Sequence, residues 1–250
     1  MRIFRANDVQ AVHINNNPDF IHRRLVSPMT EGPEGVDVGL NTYKGGHRFN
    51  GPYAYNTDEF CYISEGVAEG ESHGVPFRAS PGIFLFREAG AQTDFFDVPQ
   101  SIVNICAFAP GRFDMDSHRL APEDYGDWDG SPGPKKLPVL IHYQDVSPTR
   151  FELAGDQAGL TYRKVFHAGN GSLHCEVGHL IISANTITDI TPPATDEVWW
   201  IEKGRLSVTE TGKTESAAAH ECIHLAAGGP ARRIEALAPV TLIRLATRTG

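Results

Sequence analysis

Thr57-Asp58-Glu59-Phe60-Cys61-Tyr62-Ile63-Ser64-Glu65-Gly66 is written twice in this chain. Thr195-Asp196-Glu197-Val198-Trp199-Trp200-Ile201-Glu202-Lys203-Gly204 repeats its Thr-Asp-Glu, its isoleucine and its glycine. The offset of 138 residues (57 to 195) then holds without a gap for about fifty residues, so that Gly74 falls on Gly212, Ala79 on Ala217, Gly90 on Gly228 and Ile105 on Ile243. Upstream, Cys175-Glu176-Val177-Gly178 echoes Val36-Asp37-Val38-Gly39 with one residue of slack. A chain of 250 residues that carries one unit twice reads as two copies of a domain. Each half, at roughly 110–120 residues, is long enough to bury its own core.

The repeated unit is β in character. Val36 to Lys44 alternates as a strand does, Val67 to Ser72 and Val75 to Arg78 flank a His73-Gly74 hairpin turn, and Ile83-Phe84-Leu85-Phe86 suits a buried strand. Turn signals recur about every eight to twelve residues, the spacing of a sandwich or barrel, and no long helical period interrupts them. We expect an N-terminal arm over 1–35, a first barrel over 36–110, a linker over 111–160 and a second barrel over 161–250. The linker assignment rests on Asp114, Asp116, Glu123, Asp124, Asp127 and Asp129, which lead into Ser131-Pro132-Gly133-Pro134. Their spacing lacks the ordered ligands and glycine of a calcium loop, so the segment reads as solvated and turn-rich.

Composition narrows the partners. A net charge of −9 argues against nucleic acid, which demands clustered cations. No apolar stretch reaches the ~20 residues of a membrane helix. No signal-peptide core follows Met1, so a cytoplasmic protein is expected. Cys61, Cys106, Cys175 and Cys222 show no paired spacing and read as reduced, small core residues.

Glu59, six residues and Gly66 form the tail of one motif; Gly82, Glu88, Gly90, Thr93 and Asp97 keep the frame of a second. The second copy gives His220, Ala226, Gly228, Ala231 and Glu235 in that frame. In both motifs the chain resembles the cupin superfamily, and specifically a bicupin. The Thr-Asp-Glu-Phe-x-Tyr-Ile-x-Glu-Gly wording is similar to the branch with ethanolamine-utilisation cupins and ureidoglycine aminohydrolase. The resemblance implies an all-β fold of two tandem double-stranded β-helix (jelly-roll) barrels. It also implies a metal site of three histidines and a glutamate in each. Here the histidine positions hold Tyr53, Tyr55 and Thr93 in the first copy and Thr191, Pro193 and Ala231 in the second. Only Glu59 and Glu197 remain, and one carboxylate does not hold a transition metal selectively. No metal cofactor is therefore expected. A divalent transition metal on non-standard ligands such as His47 is the alternative, and His220 and His224, four apart on one expected strand, would share a face.

Strand alternation and the family frame together place Tyr53, Tyr55, Glu59 and Cys61 on the inner face, with Thr93 opposite and Tyr43 and His47 near the rim. Glu59 with Tyr53 and Tyr55 suits proton transfer beside a carbonyl, as in an isomerase, lyase, cyclase or hydrolase acting on a small oxygenated metabolite. Thr93, His47, Tyr43 and Cys61 would contact that ligand. Alternatively the phenols fill the space a metal and its imidazoles would take, leaving a non-catalytic binding or structural module. In the second barrel Glu197 and Trp199 stand among apolar neighbours, with Arg232 or Arg233 as the expected counter-charge. Trp199 and Trp200 point to opposite faces, which assigns one to the core and the other to an interface such as that of a homodimer.

Overall fold

The computed structural model describes residues 1–14, 17–111 and 136–248. The acidic stretch from Asp114 to Pro134 lies outside the described residues. Two compact units are formed, one of residues 10–144 and one of residues 1–9 with 145–250. Among the described residues every regular element is a strand or a short 3-10 turn. No helix among the described residues is long and apolar enough to cross a membrane.

In the unit of residues 10–144, β4 (Asp37–Tyr43), β6 (Asp58–Glu65), β9 (Ile83–Arg87) and β11 (Ile102–Ala109) form the centre of a seven-stranded sheet. Its edges are β12 (Val139–His142) on one side and β3 (Phe20–Val26) with β2 (Val12–His13) on the other, in the order β12-β9-β6-β11-β4-β3-β2. The facing sheet runs β5 (His47–Tyr53), β10 (Thr93–Val98), β7 (Ala68–Ser72), β8 (Val75–Ala79). Phe20, Tyr43, Ile63 and Ile102 from the first sheet meet Ala68, Ala79 and Val98 from the second in one apolar cluster. Strand β6, the Thr-Asp-Glu strand, is buried along nearly its whole length because neighbours flank it on both sides.

The other unit has the same plan. Its sheets run β1 (Arg2–Phe4), β19 (Cys222–Leu225), β16 (Glu197–Lys203), β21 (Val240–Thr247), β14 (Cys175–Ile182), β13 (Leu160–Phe166), and β15 (Thr186–Ile190), β20 (Arg232–Ala236), β17 (Arg205–Glu210), β18 (Lys213–Ala218). Strand for strand, β9-β6-β11-β4-β3 corresponds to β19-β16-β21-β14-β13. The left-handed backbone positions repeat as well. Gly66, His73, Gly74, Gly82 and Gly90 have φ of 78°, 51°, 74°, 91° and 82°, and Gly204, Thr211, Gly212, His220 and Gly228 have 88°, 48°, 82°, 69° and 63°. His220 thus occupies a glycine-like turn, not a strand, which separates it from His224 on β19.

The residues expected as an arm are divided between the two units. Arg2–Phe4 pairs with β19, whereas β2 and β3 extend the sheet of the 10–144 unit. Val139–His142, from the expected linker, pairs with β9 in the position that β1 takes beside β19. Each of these two strands runs into a 3-10 turn, Ala6–Asp8 and Tyr143–Asp145. The duplication therefore starts at the first residues, and each copy lends its leading strand to the other barrel.

The repeated glycine at the end of the Thr-Asp-Glu strand is required twice over. It takes a positive φ, and a Cβ at Gly66 would lie 2.0 Å from the Ser101 carbonyl oxygen. At Gly74 the same conformation opens onto free space. Gly74→Ala should therefore cost about 1–2 kcal/mol, the left-handed strain alone. Gly66→Ala should cost roughly 3 kcal/mol or more, because the carbonyl must also move. Urea denaturation of the two variants measures the difference.

Candidate functional site

Above its apolar cluster the first barrel is polar. Glu59 at the start of β6 is directly opposite Arg87 at the end of β9, and Arg87 Nη1 donates to Glu59 Oε2 at 2.5 Å. Both side chains are buried. The guanidinium lies against Phe77 and Phe96, with ring centroids 5.5 and 6.0 Å away. Burial disfavours the Arg87 charge, but the adjacent Glu59 carboxylate outweighs it and holds the proton above the ordinary arginine range. Nε and Nη2 of Arg87 are buried and have no hydrogen-bond partner among the described residues.

Around this pair stand the phenols and thiols. Tyr53 and Tyr55 are half-buried and meet edge to face at 5.8 Å, and Tyr55 also packs on Phe108 at 5.1 Å. Thr93 stands across from Tyr53 at a break in strand register, Thr93 to Tyr53 and then Phe95 to Asn50. Gly51 makes the break fit, since a Cβ there would lie 2.4 Å from the Thr93 carbonyl oxygen. Burial pushes the Tyr53 phenol up to about 12 against the pull of Arg87. Cys61 and Cys106 face each other on β6 and β11 with sulfurs 2.8 Å apart, and Cys61 reaches Glu59 Oε1 at 3.6 Å. Asn41 and Asn104 donate to Cys106 at 3.2 and 3.1 Å. The hydrogen bond to Cys106, together with burial, raises the Cys61 thiol well above its ordinary value.

The structure thus brings Tyr53, Tyr55, Glu59, Cys61 and Thr93 together and adds Arg87 and Cys106, which the sequence did not single out. Tyr43 has its ring in the apolar cluster, packed on Phe20 at 4.9 Å. Burial raises its phenol, and Cys106, Tyr55, Cys61 and Tyr53 are near enough to add to that effect. His47 stands apart. Its Nε2 meets Asp19 at 3.2 Å and its Nδ1 meets Asn17 at 3.4 Å, so both ring nitrogens are engaged away from Glu59.

In the second barrel the counter-charge is Arg244 on β21, not Arg232 or Arg233, which pair with Glu210 and Asp189. Arg244 grips Glu197 through Nε (2.9 Å to Oε2) and through Nη2 to Oε1. Its Nη1 donates to Tyr162 at 2.9 Å and to Glu176 at 2.6 Å. Trp199 Nε1 also donates to Glu197 at 2.8 Å. Every nitrogen of the guanidinium is engaged, and Glu197 is held on both oxygens. Trp199 and Trp200 are both fully buried, so neither offers the interface side chain expected of the pair. His224 pairs with Asp196 at 2.8 Å.

The metal positions of the cupin frame do not fit a transition ion. At the first, Glu59 is committed to Arg87, and the imidazole positions hold Tyr53, whose phenol stays protonated, with Tyr55 and Thr93. At the second, Arg244 and Trp199 occupy both oxygens of Glu197, beside Thr191, Pro193 and Ala231. Apart from the imidazole positions, Glu59, Cys61 and Cys106 bring ligand atoms within 4.8 Å of one another, a carboxylate and two thiols of a kind that can hold a metal ion.

Removing Arg244 should expose what it neutralises. Arg244→Ala leaves Glu197 and Glu176 buried without their shared partner and should cost about 3–5 kcal/mol in urea denaturation, whereas the apolar pair Glu197→Leu with Arg244→Met should recover most of it. Burial works to raise the Glu176 carboxyl, but Lys164 and Arg244 bring it below the ordinary value. Its contribution to stability is therefore present above the unfolded value and lost as pH falls through the lower folded one. At the other extreme, Tyr53 should ionise near pH 12, not 10, which a difference titration at the phenolate band reads by comparison with Tyr53→Phe. Its contribution persists below the unfolded value and disappears as pH rises through the folded one.

No protein-family model matches the sequence, and no curated protein does. Solved structures do match. An oxalate decarboxylase variant of Bacillus subtilis, with tyrosine in place of a tryptophan, superposes with a TM-score of 0.70 at 12% identity, over 98% of this chain and 77% of that one. The formate complex of Lactobacillus farciminis oxalate decarboxylase gives 0.71 at 12% identity, over 98% and 86%. A further Bacillus subtilis oxalate decarboxylase, studied for its Mn(II) centres, gives 0.70 at 12% identity, over 100% and 78%. At such identity the likeness is one of fold: this chain has the architecture of a bicupin, two jelly-roll barrels in tandem.

Proposed function

We propose that the first barrel takes a small oxygenated metabolite and moves a proton on it, in a reaction of isomerase, lyase or cyclase type. The observation that carries this reading is the contrast between the two buried ion pairs. Every guanidinium nitrogen of Arg244 and both oxygens of Glu197 are engaged within the protein, which is what a purely structural core requires. Arg87, paired with Glu59 in the first barrel, leaves Nε and Nη2 without hydrogen-bond partners beside two half-buried phenols. Tyr53 keeps its proton far above neutral pH and can donate to a carbonyl oxygen on which negative charge develops. Glu59, fixed by Arg87 through Oε2, has at Oε1 only the long 3.6 Å contact with the Cys61 thiol and can accept a proton there from the adjacent carbon. No step calls on a metal. The Thr-Asp-Glu wording of both copies supports kinship with the ethanolamine-utilisation and ureidoglycine branch of bicupins.

The Arg87–Glu59 pair also favours a second reading, in which the metabolite is bound but not turned over, because the ion pair restrains the carboxylate. Ligand-induced thermal shifts across a metabolite panel, followed by incubation of each hit in D2O, separate the two. Turnover predicts deuterium entering the ligand in wild type, and at least about a hundredfold slower exchange in Glu59→Gln. A hit that binds but never exchanges leaves the binding module. A wild-type protein that responds to no metabolite refutes both.

A further inference from the structure

We infer that Arg87 docks a carboxylate of that metabolite on the side-on edge of its guanidinium; the inference rests on the first barrel being a ligand pocket, as proposed above. A guanidinium presents Nε and one Nη as a fork of two parallel N–H groups, matched to the two oxygens of a carboxylate. In Arg87 the fork nitrogens Nε and Nη2 are the two without partners, while the remaining Nη1 is spent on Glu59. The second barrel shows the same fork filled: Nε and Nη2 of Arg244 hold the two oxygens of Glu197.

Two carboxylates on one buried arginine are also already present in this molecule, since Arg244 serves Glu197 through its fork and Glu176 through Nη1. In the first barrel Glu59 takes the Nη1 place, and the two fork nitrogens are buried without a partner. The Arg87 guanidinium carbon lies 5.5 Å from the Phe77 ring centroid and 6.0 Å from that of Phe96, so aromatic rings pack against the group. The fork lies on the side of the guanidinium opposite Nη1, so a carboxylate seated on it is held across Arg87 from Glu59. The ligand class is a small carboxylate.

Matched probes test this with the intact protein. Acetate, pyruvate and succinate are compared with acetamide, pyruvamide and succinamide by thermal shift, with sodium chloride, sulfate and phosphate as ionic controls. On 15N-labelled protein the arginine Nε–H resonance of Arg87, assigned by its loss in Arg87→Lys, is followed in the same titrations. Expected is a saturable shift with at least one acid but not its amide, movement of that Nε–H signal, and binding weakened at least about tenfold in Arg87→Gln. Amides that act as well as acids would overturn the carboxylate assignment while leaving the pocket in place. So would inorganic anions that reproduce the effect, or acids that bind without moving the Arg87 signal. The wild-type comparisons of each acid with its amide and with the inorganic anions decide the assignment even if an Arg87 variant fails to fold. If neither this panel nor the wider metabolite panel produces any response, the reading beneath it falls too.

Discussion

A carboxylate inside a β barrel has to be neutralised where it stands, and this chain contains two, at equivalent places in two copies of one fold. Moving a charge out of water costs several kcal/mol unless a partner and further hydrogen bonds recover it. Both barrels recover it with a buried guanidinium, yet from different strands. Arg87 ends β9 and faces Glu59 directly across the ladder. Arg244 is in the middle of β21, opposite Trp199, and reaches Glu197 on the diagonal. The positions that would correspond, Leu225 and Cys106, carry no charge. The same constraint has been met by two unrelated placements, which marks the carboxylate as the retained feature and the arginine as the response to it.

The two responses differ in how completely they close. Arg244 gathers Glu197, Glu176 and the Tyr162 hydroxyl, with Lys164 on the outer oxygen of Glu176 at 2.8 Å. Tyr162 lies across Gly178, where any Cβ would strike its hydroxyl at 2.3 Å, so the network depends on a glycine in the middle of β14. A closed network of this kind rigidifies a core. Arg87 is held at one end and by aromatic faces, and its open donors are costly to leave buried unless something else completes them.

Much of this architecture could be read from residue order alone. The hairpin at His73-Gly74 and the glycines after each Thr-Asp-Glu strand follow from period, turn chemistry and the repeat, and the gathering of Tyr53, Tyr55 and Glu59 from alternation together with the cupin resemblance. The charge partners could not be read so. Which arginine meets a buried glutamate depends on cross-strand register. Arg232 and Arg233 are closer in sequence to Glu197 than Arg244 is, yet β20 belongs to the opposing sheet and turns them to Glu210 and Asp189. The exchanged leading strands were equally hidden, because Arg2–Phe4 and Val139–His142 are too short for a hydrophobic pattern to show where they pair. His220 looked like a strand residue because nothing in its identity betrays a left-handed backbone; only its alignment with Gly82 does.

The site sits where the ladder is imperfect, and that imperfection is specific to one copy. Between β5 and β10 the register slips after Thr93, and Gly51 lets the two backbones pass close enough for the slip to be accommodated. Between β15 and β20 the register runs unbroken from Thr186–Ala236 to Ile190–Arg232. A bulge re-aims side chains that regular pleating would send to fixed faces. In the first barrel it sets Thr93 opposite Tyr53 at the rim of the polar layer; in the second, regular pairing allows Ile190, Ile234 and Ala236 to pack into a continuous apolar core. Open donors on Arg87 and an irregular ladder beside Tyr53 fall together in the polar layer around Glu59. The ligand proposed for this barrel would complete those donors beside the phenols that the slip sets in place.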